Sequence, residues 1–120
     1  MTKAKIAAAR IAAACALSVC LVSPALARPA RCVITSPGAA YRGKCDFTAM
    51  PGNGGFGVSP IGRTYFFNGI APISVVKTST NTAEVRGLTR DGINSRWGEA
   101  ARSKRDPACW DGDDFKICVY

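Results

Sequence analysis

Thr82-Ala83-Glu84-Val85-Arg86-Gly87-Leu88 decides the fold class. Its alternation puts Ala83, Val85 and Gly87 on one face and Glu84, Arg86 and Leu88 on the other, the pattern of an antiparallel strand buried on one side. Working outward, short runs rich in Val, Ile, Tyr, Phe and Thr recur at residues 32–35, 41–48, 56–59, 63–68, 73–77, 83–89 and around 93–97, with a final hairpin at 108–120. Turn signals separate them: Pro37-Gly38, Pro51-Gly52-Asn53-Gly54-Gly55, Pro60-Ile61-Gly62, Asn68-Gly69, residues 79–82 and Asp91-Gly92. Residues 96–105 are read as extended or irregular. Trp97, Ala100, Ala101 and Lys104 would fit one helical stripe, but Gly98 costs about 1 kcal/mol in a helix interior. The expectation is an all-β domain, a small antiparallel meander, sandwich or barrel.

Residues 1–27 read as a signal peptide. Lys3, Lys5 and Arg10 form a positive start, residues 11–22 an apolar core, and Ala25-Leu26-Ala27 supplies small residues at the positions a signal peptidase reads. A retained anchor would need roughly 20 apolar residues, and Pro24 interrupts the end of this shorter run. Leu17-Ser18-Val19-Cys20 has the outline of a lipidation motif, but the branched Val19 before Cys20 fits it poorly. Cleavage after Ala27 is therefore the preferred reading. It leaves residues 28–120 as one domain, periplasmic or secreted, with no transmembrane segment. Of the 16 basic residues 13 remain, with all 8 acidic ones, so the mature net charge is about +5.

Four cysteines remain in that domain, and an exported chain of this size belongs to the disulfide-stapled class. Three pairings are open. Cys109 and Cys118 are equidistant from Asp113-Asp114, so a two-residue turn there sets them opposite each other and Trp110 opposite Ile117. The competing Asp111-Gly112 turn would instead oppose Cys109 to Asp114. Cys32 and Cys45 are centred on Gly38-Ala39, beside the Pro37-Gly38 signal. The expectation is two local disulfides, Cys32–Cys45 and Cys109–Cys118, each worth about 2.5–3 kcal/mol by loop-closure entropy. If Trp110 packs beside the second bridge, its removal is the more damaging.

Gly92-Ile93-Asn94-Ser95-Arg96-Trp97-Gly98, then Arg105-Asp106-Pro107-Ala108-Cys109-Trp110, Gly112 and Asp114-Phe115-Lys116-Ile117-Cys118, resembles a family of small exported proteins of Gram-negative bacteria. The shared features are an N-terminal Cys pair, a glycine-rich segment (here Gly54-Gly55-Phe56) and a closing Ala-Cys-Trp to Ile-Cys hairpin. The resemblance spans most of the mature chain. It implies a periplasmic or secreted β domain and brings no activity and no catalytic residue.

The chain has no histidine, and no spare thiol remains once four cysteines pair. Ser-His, Cys-His and His-metal chemistries are thereby excluded or weakened, and no enzyme, cofactor or metal is expected. Asp111, Asp113 and Asp114 crowd three carboxylates, but a calcium loop needs about six oxygen ligands and a solvated hairpin tip fits better. Glu84 and Glu99, the only glutamates, have no setting that suggests a glycosidase pair. The densest basic and aromatic cluster is Arg96, Trp97, Arg102, Lys104 and Arg105, with Trp110 nearby, and it is the candidate ligand surface. Arginine holds phosphate or carboxylate bidentately and tryptophan stacks on sugars. Against this, each Trp would bury about 150–250 Å² that a small core needs, most clearly Trp110. The expected partner is an anionic envelope glycan or lipid, or a protein; no nucleic-acid motif is present. The expected function is a non-catalytic binding domain. The alternative is a small inhibitor of a hydrolase, for which a +5 surface starts with unfavourable electrostatics against a basic enzyme.

Overall fold

The computed structural model describes residues 26–120. The signal-peptide features at residues 1–25, Cys20 included, lie outside the described residues. Eight strands run up and down in sequence order: β1 (Ala27–Ser36), β2 (Ala39–Ala49), β3 (Gly55–Pro60), β4 (Ile70–Lys77), β5 (Thr82–Thr89), β6 (Asn94–Arg102), β7 (Cys109–Asp111) and β8 (Lys116–Val119). Each pairs antiparallel with the next, and β8 returns to β1, Val33 opposite Cys118 and Thr35 opposite Lys116, to close a barrel. Closure removes both free edges of the sheet. The alternation in β5 reads as expected: Ala83, Val85 and Gly87 are buried and their neighbours are not. With Ile34, Val58, Ile73, Val75, Trp110 and Ile117 they line the inside.

Both expected disulfides are present. The final hairpin turns on Asp113-Asp114, where Gly112 N–H donates to Phe115 O at 2.8 Å, and it opposes Cys109 to Cys118 and Trp110 to Ile117. Gly112 serves the ring of Phe115 rather than a turn of its own, because a Cβ there would come within 2.1 Å of that ring. The first hairpin differs from the expected register. Its two-residue turn is Pro37-Gly38, with Gly38 at φ +74°, so Cys32 faces Gly43 and Cys45 faces Ala30. Proline at the first corner and glycine at the second specify this turn. The two-residue slip keeps every side chain on its face, so the cysteines still meet inside the barrel as a diagonal pair, 5.8 Å apart at Cα.

Residues 63–68 are not a strand, which corrects the expectation for Tyr65-Phe66-Phe67. β3 and β4 pair directly with each other, from Gly55 opposite Val76 to Val58 opposite Ile73, so no ladder remains for the intervening residues. They cross the barrel end instead, closed by a tight turn at Asn68-Gly69 with φ of +50° and +69°, the backbone of a type I′ turn. Phe66 enters the barrel and is 1% exposed, edge-on to Tyr41 with centroids 4.9 Å apart.

Residues 96–105 divide. The strand continues through Arg102, and a loop of residues 103–108 follows. Within β6 the register shifts: Val85 pairs with Gly98 and Arg86 with Arg96, leaving Trp97 as the extra residue of a bulge.

Candidate functional site

The expected cluster is dispersed, because alternate residues of a strand point to opposite faces. Arg96 lies on the outer wall, where its Nε donates to Glu84 Oε1 at 2.9 Å, and Arg86 shares that carboxylate at 2.7 Å. Trp97 turns to the mouth of the barrel and stacks on Phe67. Arg102 closes the opposite end: its guanidinium lies 4.4 Å from the Trp110 ring centroid and donates to Pro107 O at 2.9 Å. Trp110 itself is core, 2% exposed. Of the five expected site residues, only Lys104 and Arg105 remain together, exposed on the loop after β6.

That loop is pinned rather than loose. Ser103 N–H donates to Cys109 O and Cys109 N–H to Asp106 O, both at 2.9 Å. Ser103 Oγ accepts the N–H groups of Arg105 and Asp106, each at 3.2 Å. Asp106 Oδ1 accepts Ala108 N–H at 3.1 Å, and Oδ2 accepts the Tyr120 hydroxyl at 2.6 Å. The loop therefore stands as a wall beside the outward faces of β7, β8, β1 and β2. Between them runs a groove of about 560 Å³, within the range of small-molecule sites. Its floor includes Val33 and the Cys109–Cys118 disulfide, which lies outside the barrel because Trp110 and Ile117 occupy the inward positions.

Five cations line the groove: Arg31 and Arg42 from β1 and β2, Lys116 from β8, and Lys104 and Arg105 from the loop. Two carboxylates accompany them. Asp106 is committed to Tyr120 and Ala108, and Asp111 faces Lys116 at 3.7 Å. The groove thus gathers about three of the roughly five net positive charges of residues 28–120. Cations held on facing walls over a partly apolar floor suit an extended anionic ligand with a carbon skeleton. Arg31, Arg42, Lys116 and Tyr120 escaped sequence reading, since they meet only when β8 closes on β1, with Tyr120 N–H donating to Arg31 O at 2.9 Å.

The Tyr120 and Ala108 hydrogen bonds hold the Asp106 carboxyl below its usual range, and Asp106 in turn raises the Tyr120 phenol. A depressed acid stabilises the fold above its unfolded pKa and loses that contribution as pH falls through the folded value. A raised phenol stabilises below its unfolded pKa and loses that contribution as pH rises through the folded value. The lock on the loop therefore holds through neutral pH and weakens on the acid side of the ordinary Asp range. In Tyr120→Phe, the Asp106 pKa should rise toward the usual carboxylate value, as followed by carboxyl NMR titration. An unmoved Asp106 would show that the hydroxyl is not its partner in solution.

Among the described residues no helix is long and apolar enough to cross a membrane, and no group of three His, Cys, Asp or Glu side chains converges as a metal site. No protein-family model, curated protein or solved structure matches the chain.

Proposed function

We propose that the chain is an exported binding domain that takes an anionic envelope ligand, a glycan or a lipid headgroup, in the groove between β8–β1–β2 and the loop after β6. The observation that carries this reading is the convergence of Arg31, Arg42, Lys104, Arg105 and Lys116 around one concavity. Two disulfides in so small a domain suit the oxidising space outside the cytoplasm. Intact mass of the exported product should correspond to a chain starting at Arg28; a diacylglyceryl adduct on Cys20 would contradict this.

A labelled oligogalacturonate and vesicles containing an anionic phospholipid are the probes for the groove. Lys104→Glu with Arg105→Glu should weaken binding at least about tenfold, or about 1.4 kcal/mol, and flatten its salt dependence. The melting temperature should move little, since exposed charges contribute little to stability. Arg102 is unsuitable for such a test because its guanidinium covers Trp110 and bonds Pro107 O. Unchanged affinity in the folded double variant would remove the groove from consideration.

A further inference from the structure

A second concavity opens at the barrel mouth and shares no lining residue with the groove. It measures about 200 Å³ and is lined by Ser36, Pro37, Ile70, Trp97, Asp114 and Phe115. These residues come from the β1–β2 turn, the start of β4, the bulge in β6 and the β7–β8 turn, all at the same end of an up-and-down barrel. β7 pairs only with Ala101 and Arg102 of β6, so the rest of β6 has no ladder partner on that side and the wall drops. Mouths of β-barrels are a common place for small ligands.

The rings in this mouth are placed by backbone devices. The β6 bulge re-aims Trp97, and Gly98 beside it sits at φ +138°, which a side chain would strain. Gly87 underlies the indole: a Cβ there would lie 3.0 Å from Trp97 Nε1 and 2.8 Å from Ile70 Cγ2. Phe67 stacks on Trp97 at 6.2 Å, and Phe115 meets it edge-on at 5.7 Å. Asp114 is exposed and makes no side-chain hydrogen bond or ion pair among the described residues, and no Lys or Arg lines the pocket. In a domain of net charge about +5, the one acidic or basic residue that lines this mouth is Asp114, alongside the aromatic residues Trp97 and Phe115.

We infer that this mouth binds a small organic cation, an alkylammonium group. The rings of Trp97 and Phe115 contact its carbons and attract its charge, and Asp114 supplies the counter-charge. The volume admits a compact head such as trimethylammonium.

Choline and its neutral carbon analogue 3,3-dimethylbutan-1-ol are the probes, read by the indole N–H resonance of Trp97 in nitrogen-15 NMR. The buried Trp110 indole serves as internal reference. Choline should shift the Trp97 signal saturably, and the neutral analogue should bind at least about tenfold more weakly. Asp114→Asn should weaken choline about two- to fivefold, an effect of the size expected for losing one exposed counter-charge, with the melting temperature unchanged. Equal affinity for the two probes in the parent protein would overturn the inference, leaving an apolar dimple without charge selection. So would a Trp97 signal that choline does not move, or choline binding that is indifferent to Asp114→Asn. The parent comparison stands whatever the variant does.

Discussion

Phe66→Ala should cost about 3–5 kcal/mol, the largest loss of any single truncation at the barrel end. Phe66 is 1% exposed although its segment joins the sheet only through the tight turn to Ile70, where Phe66 N–H donates to Ile70 O at 2.9 Å, so its ring is held in place chiefly by packing. Removing it leaves a cavity under the loop of residues 61–69 and deletes the edge-on contact with Tyr41, itself worth about 0.5–1.5 kcal/mol. A domain of this size has a total stability on the order of 5–10 kcal/mol, so the variant should lie close to the unfolding threshold at ambient temperature. Urea unfolding followed by fluorescence gives the number directly. Phe67→Ala, at a partly buried position, should lose less. A loss below about 1 kcal/mol for Phe66→Ala would show that the loop does not plug the barrel in solution.

The second large effect concerns the two bridges. Sequence reasoning made Cys109–Cys118 the more important on the condition that Trp110 packs beside it. The geometry favours the opposite order, since Trp110 faces the core while Cys109 and Cys118, 2% and 3% exposed, lie on the other face of the hairpin, covered by the loop and Tyr120. Cys32 and Cys45 are the pair inside, both fully buried among Ile34, Tyr41 and their neighbours. Replacing Cys32 and Cys45 together by Ala should therefore remove about 3 kcal/mol of loop-closure entropy and add a cavity, for a total of about 4–5 kcal/mol. The same change at Cys109 and Cys118 should cost about 2.5–3 kcal/mol and also loosen the groove floor. Paired denaturation curves under non-reducing conditions compare them. An equal or reversed ranking would mean that the outer bridge supports more of the fold than its position indicates.

Much of the architecture was legible because its signals are local. Alternation in residues 82–88 marks a one-sided strand wherever its neighbours lie, and the symmetry of Cys109 and Cys118 about Asp113-Asp114 points to the observed hairpin, against the competing Asp111-Gly112 turn, without reference to the rest of the chain. At the first hairpin two local signals compete: cysteine symmetry centres the turn on Gly38-Ala39, but Pro37-Gly38 is itself the turn, one residue earlier, and the register differs by two. The run Tyr65-Phe66-Phe67 was illegible for a different reason. Its composition is that of a strand, but whether it becomes one depends on β3 and β4 leaving a place in the ladder, which is a property of the whole sheet. The candidate site failed in the same way. Nearness in sequence between Arg96 and Arg105 does not survive strand alternation, whereas Arg31 and Lys116, 85 positions apart, are brought to one groove by barrel closure. Charge density along a chain locates a surface only when that chain is not pleated.

The most direct test of the anion groove is a nitrogen-15 NMR titration with oligogalacturonate, watching the backbone amides and the arginine side chains together. The account predicts salt-sensitive shifts concentrated at Arg31, Arg42, Lys104, Arg105 and Lys116, with Arg96 unmoved because it lies on the outer wall of β6 in its ion pair with Glu84. Shifts centred on Arg96 and Arg86, or binding that persists unchanged at high salt, would contradict it.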